Sequence, residues 1–124
     1  MCASGFKISA LTRFLMLEGN SYDRAKEGLA PYVAQWEESV AYIEQASIDD
    51  IGASEEYDYD LWARTVLFRA LQHATQSEVG SVADRIVRAD QRFMDATTPY
   101  CGATPHIDNP DRGLHWWLFR TLKK

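Results

Sequence analysis

The sequence predicts an all-α fold, an up-and-down bundle of four to five helices with an irregular C-terminal loop and an aromatic tail. Three observations lead there. Apolar residues recur at steps of three and four along most of the chain, which is the spacing of a helix face and not of a strand. Glycine, asparagine and proline divide that pattern into segments of helical length. The 124 residues, 46% hydrophobic and 25% charged, match one ordinary globular domain, 1–124, with enough material to bury a core.

The elements follow in order. Residues 6–18 form a first helix with Ile8, Leu11, Phe14 and Leu15 inward, stopped by Gly19 and Asn20. Residues 21–27 make a short helical turn closed by Gly28. Pro31 fits the first turn of the next helix, where its missing N–H costs nothing. That helix, 31–45, carries the cleanest seam in the chain: Leu29 just ahead of it, then Val33, Trp36, Val40 and Ile43. Residues 47–56 read as a linker.

Residues 57–76 are apolar around most of a helix circumference, through Tyr59, Trp62, Ala63, Val66, Leu67 and Ala70. They leave a polar stripe of Thr65, Arg69, Gln72 and Gln76. Such a helix is expected at the centre of the bundle. Ser77 and Glu78 open a further helix to residue 96, with Val79, Val82, Ile86, Val87, Phe93 and Met94 inward. Beyond Thr97 the prolines and glycines make an irregular stretch. Residues 114–122, with Trp116, Trp117 and Phe119, suit a last helix or an extended segment equally.

Charge is distributed unevenly. Nine acidic residues and no lysine, arginine or histidine lie between Glu37 and Asp60: Glu37, Glu38, Glu44, Asp49, Asp50, Glu55, Glu56, Asp58 and Asp60. The rest of the chain holds all 13 basic residues against nine acidic ones, a balance of +4, although the whole chain is at −5. A local negative field attracts a basic partner protein. Tyr57 and Tyr59 stand within it and suit a polar protein interface. The partner-binding residues expected from this block are Glu37, Glu44, Tyr57, Asp58, Tyr59 and Asp60. The acids near residue 57 also sit where a helix dipole favours them, and Glu37 and Glu44 suit a solvated face, so placement alone has a structural explanation.

Arg64 and Asp90 are expected to form a structural ion pair. Asp90 falls at helical spacing from Ala83, Ile86, Val87 and Met94, and a carboxylate on an apolar face needs a partner. Arg64 shares a face with Phe68 and Leu71, away from the polar stripe. Other chemistry is thinly marked. His106, Asp108 and His115 match no metal-ligand spacing, and Cys101 with His106 lacks an orienting third group. No phosphate loop or dinucleotide fingerprint occurs, and no cofactor or metal is called for. The acidic balance disfavours nucleic acid. The apolar run 8–17 is interrupted by Arg13 and too short for a membrane, and two cysteines 99 positions apart make no disulfide framework, so a cytoplasmic setting is expected.

These features favour a small acidic, non-enzymatic protein that binds a basic partner protein. Toxin neutralisation by an immunity-type protein is one such role. The alternative is a small helical enzyme, or a ligand- or metal-binding protein, using the Arg64–Asp90 region or the loop holding His106 and His115.

Overall fold

The computed structural model describes residues 9–45, 53–100 and 111–122; within it the side chains of residues 53–56 and 58 are outside the description. The described residues are all-α apart from one pair of three-residue strands. Helix α1, Ala10–Leu17, starts at Ser9, whose hydroxyl accepts from the Thr12 N–H and satisfies one orphan donor of the first turn. The start expected at residue 6, with Ile8, lies outside the described residues. Leu11 and Leu15 bury one face of α1, and Gly19 turns the chain at φ +103°, a conformation that costs a side chain dearly.

Helix α2, Tyr22–Ala25, is a single turn capped by Ser21 and closed by Gly28 at φ +70°. Helix α3, Ala30–Gln45, takes Pro31 in its first turn. Leu29, Val33, Trp36, Val40 and Ile43 are all buried along it.

Helix α4, Ala53–Leu71, begins inside the segment read as a linker and ends five residues before the expected stop. The acidic run that resembled a linker is instead the first turn of a helix, where negative charge opposes the dipole. After α4, Thr75 rather than Ser77 opens the next helix. Its hydroxyl accepts from the Glu78 N–H, and the Glu78 carboxylate accepts from the Thr75 N–H, a reciprocal capping box. The helix expected to run on to residue 96 is two: α5, Gln76–Gly80, and α6, Ala83–Ala96. Gly80, a poor helix former, ends the first of them.

Strands β1, Thr97–Pro99, and β2, Arg120–Leu122, pair antiparallel, with Thr97 opposite Leu122. A 3-10 turn at Trp116–Phe119 leads into β2. The tail is therefore a helical turn followed by a strand. Asp111 sets its entry: its carboxylate accepts from the N–H groups of Leu114 and Gly113, which holds its pKa below the usual aspartate value.

Directions follow from side-chain pairs. Glu37 meets Arg85 and Glu44 meets Arg92, so α3 and α6 run the same way. Arg64 bonds Asp90, whereas Tyr57, two turns earlier on α4, stacks on Phe93, so α4 runs against α6 and hence against α3. Helix α3 packs on both α4 and α6, and α4 packs on α3, α1 and the 3-10 turn. The circumference of α4 is nevertheless not buried as its sequence suggests. The aromatic side chains of Tyr59 and Trp62 on α4 point outward, whereas Thr65, expected in the polar stripe, is buried. Thr65 is satisfied there, donating to the Leu61 carbonyl and accepting from the Trp117 indole. Val87 of α6, expected inward, is also exposed.

Helix α1 docks on α4 by an Arg69–Glu18 ion pair and by Phe14 stacking on the exposed His73, with ring centroids 4.0 Å apart. The buried side chains form one cluster, in which Trp36, Phe93, Trp117, Leu61 and Leu67 are fully enclosed.

Candidate functional site

Two of the acidic residues meet arginines once the helices pack. On α3, Glu37 accepts two hydrogen bonds from Arg85, at 2.6 and 3.2 Å, and Glu44 accepts two from Arg92, at 2.5 and 3.1 Å. The two acids are seven residues apart, and so are the two arginines, so parallel helices bring both pairs into register. Glu37 and Glu44, expected to face a partner, are instead occupied within the fold. The local run contains no cation, but α6 supplies two across the interface. Matching seven-residue spacings on the two helices were the sequence signal that would have found Arg85 and Arg92.

Hydrogen bonds from Arg85 and Arg92 hold the Glu37 and Glu44 pKa values below the ordinary glutamate value. A depressed folded-state pKa means that this stabilisation is fully present above the ordinary value. It is lost as pH falls through the lowered values. The side chains of both pairs are between one-third and one-half exposed, so each pair is worth only about 0.2–1 kcal/mol. Glu37→Gln combined with Glu44→Gln is expected to lower the urea midpoint slightly at neutral pH and to leave it unchanged in acid. Equal losses at both pH values would show that the pairs do not supply the pH dependence.

Tyr57 is also not a surface residue. It is buried, and its hydroxyl donates to the Arg120 carbonyl at 2.7 Å, fastening α4 to β2. The side chain of Asp58 is outside the description. Asp60 is half-buried, and Tyr59 is 76% exposed.

Arg64 and Asp90 lie together. Arg64 donates from Nε to Asp90 Oδ1 at 2.9 Å and from Nη2 to Oδ2 at 3.0 Å. Trp36 Nε1 donates to the same Oδ1 at 2.9 Å. The guanidinium is 6% exposed and lies over the Trp117 ring, 4.7 Å from its centroid. Trp36 was missed as a partner, although a buried indole N–H needs an acceptor and so signals one. One carboxylate thus joins α3, α4 and α6, with its oxygens engaged by three donors. That arrangement holds helices together and presents no reactive group.

The C-terminal histidine region divides in the same way. Cys101, His106 and Asp108 are outside the described residues. His115 Nδ1 accepts from the Asp111 N–H, and its ring packs edge-on against Phe68 and Trp117. Among the described residues, no three histidine, cysteine, aspartate or glutamate side chains converge as metal ligands. No helix among them is long and apolar enough to cross a membrane.

Among the described residues, one concave feature is a groove of about 230 Å³ between α3 and α4. From α3 come Pro31, Tyr32, Gln35 and Ser39, from α4 Tyr59, Trp62, Ala63 and Val66, and from α2 Arg24. Trp62 is 40% exposed beside the more exposed Tyr59. Tyr32 is half-buried, and Ser39 is buried. These aromatic residues look like core in the sequence, because periodicity records which residues share a face but not whether that face is covered.

Compared with models of protein families, with curated proteins and with solved structures, the chain matches none.

Proposed function

We propose that this protein is a non-enzymatic binding module that engages a basic partner protein through the α3–α4 face. The observation that carries the reading is the exposure of Tyr59 and Trp62 side by side on α4, at the edge of a groove. Large aromatic side chains at the surface supply contact area at low entropic cost and are the usual energetic anchors of protein interfaces. They stand on the helix whose first two turns carry Glu55, Glu56, Asp58 and Asp60. Exposed Glu38 adds a charge from α3, where its carboxylate accepts from the Tyr42 hydroxyl at 3.4 Å.

The reading rests on fewer acids than the nine in the run, because Glu37 and Glu44 are engaged by arginines. Reversing Glu37 or Glu44 to lysine would set like charges against Arg85 or Arg92 and disturb the α3–α6 packing, so a loss of binding would be ambiguous. Tyr59→Ala with Trp62→Ala avoids this, since both side chains are partly or largely solvent-facing.

Affinity capture from the source cells at low and high salt, comparing wild type with that double variant, is the experiment. A basic protein is expected to be retained by the wild type, to be lost by the variant and to elute with salt, because charge complementarity is screened. A basic nuclease-like or toxin-like chain among such proteins would identify the role as neutralisation. Retention that is equal for both proteins and insensitive to salt would overturn the reading.

A further inference from the structure

We infer that the α3–α4 groove takes an extended, proline-rich segment that carries lysine or arginine at one end only. The inference rests on the proposed binding face and goes further by naming the chemistry of the segment that enters it.

Length comes first. Pro31 and Ser39, at the two ends of the α3 wall, are eight residues apart on a helix, about 12 Å. A polyproline II segment rises about 3.1 Å per residue with three residues per turn, so about four residues fill that length. It brings side chains to the same face about every 9 Å, and its prolines fix the backbone before binding, which lowers the ordering cost. A docking helix is about 10 Å wide and needs three or four anchors over two turns. A groove of about 230 Å³ holds only one or two side chains of that kind.

The walls fit the same ligand. Tyr59 and Trp62 on one side and Tyr32 on the other present aromatic surface, the partner that proline rings pack against in grooves of this type. A polyproline II backbone forms no internal hydrogen bonds. Gln35 and the hydroxyls of Tyr32 and Tyr59 are side-chain donors along the groove for its carbonyls.

Charge sets the direction. Helix α4 runs against α3, so its first turns, whose sequence holds Glu55, Glu56 and Asp58, lie toward the C-terminal end of α3, the helix that also carries exposed Glu38. Arg24 lines the groove from α2, which immediately precedes the N-terminal end of α3. A segment basic along its whole length would meet Arg24, whereas one with its cations at a single end matches the acidic end and leaves Arg24 undisturbed.

The test is an amide NMR titration with synthetic peptides. The reference probe is a Pro-x-x-Pro peptide with two arginines at one end. Wild type is expected to bind it, with shifts centred on Tyr32, Gln35, Ser39, Trp62 and Val66. Replacing the prolines by alanine, replacing the arginines by glutamate, or introducing Trp62→Ala should each weaken binding at least about tenfold. Tyr59→Ala is the second variant should Trp62→Ala perturb the fold.

Arg24→Glu is expected to leave the reference peptide bound and to admit a peptide with arginines at both ends. Equal binding of the alanine or glutamate peptides, or shifts away from the groove, would overturn the inference. Shifts in the same residues that grow with protein concentration in the absence of peptide would assign the groove to a second copy of the chain and also overturn it. If the peptides fail while Tyr59→Ala with Trp62→Ala still abolishes capture of a basic protein, the proline-rich assignment falls and the proposed function stands.

Discussion

Deleting residues 114–124 is expected to abolish cooperative unfolding. The segment buries Trp117, Leu118 and Leu122. Losing Trp117 alone costs about 3–5 kcal/mol, and each buried leucine contributes about 1.5–3 kcal/mol. The total rivals the whole stability of an average domain, about 5–15 kcal/mol. Polar links go as well. Arg120 donates to the Thr97 hydroxyl and to the carbonyls of Met94 and Thr97, and the Trp117 indole donates to Thr65. The truncated chain should keep its far-UV helical signal, lose its near-UV signal and bind a hydrophobic dye, the signature of a collapsed but unpacked state. A sharp thermal transition like that of the full chain would show that the tail is an accessory. Trp117→Ala is the milder version, expected to lower stability by about 3–5 kcal/mol without loss of cooperativity.

Asp90→Ala is expected to destabilise the protein by about 3 kcal/mol, the lower end for one half of a buried ion pair, because Asp90 keeps 16% side-chain exposure. The substitution removes the acceptor for Arg64 Nε and Nη2 and for Trp36 Nε1. It leaves a buried guanidinium whose Nη1 already has no hydrogen-bond partner among the described residues. The loss should therefore exceed that of any exposed pair in the molecule. Urea unfolding at constant slope measures it. Arg64→Leu with Asp90→Leu should recover part of the loss, because no guanidinium is left stranded, although the buried Trp36 N–H still lacks its acceptor. An unchanged midpoint for Asp90→Ala would mean that Trp117 stacking alone holds Arg64.

The seam of Leu29, Val33, Trp36, Val40 and Ile43 was legible because α3 is covered on two sides, and strict periodicity is what such a helix requires. Helix boundaries were legible where a local device set them, as at Gly19, Gly28 and Pro31. Among the displaced boundaries, two have a visible reason. A linker and an acidic first turn of a helix share the same composition, which hid the start of α4. The Thr75–Glu78 box lay beside an equally plausible Ser77. On α4, apolar content all round suggested a central helix. The same composition arises when one face is core and another, through Tyr59 and Trp62, is surface.

The amino-acid sequence by itself determined the helical class, the α3 seam, the need of Asp90 for a cation and the surplus of negative charge before residue 61. Each is a property of spacing or composition within one segment, where the 3.6-residue period and the cost of burying a charge act locally. Tertiary structure alone decided that Glu37 and Glu44 are engaged by arginines and which aromatic residues line a groove. Those outcomes depend on the parallel register of α3 and α6 and on the face of α4 that α3 covers. Register between helices distant in the chain is set by the packing of the whole core, a sum of many weak contacts that no single segment contains.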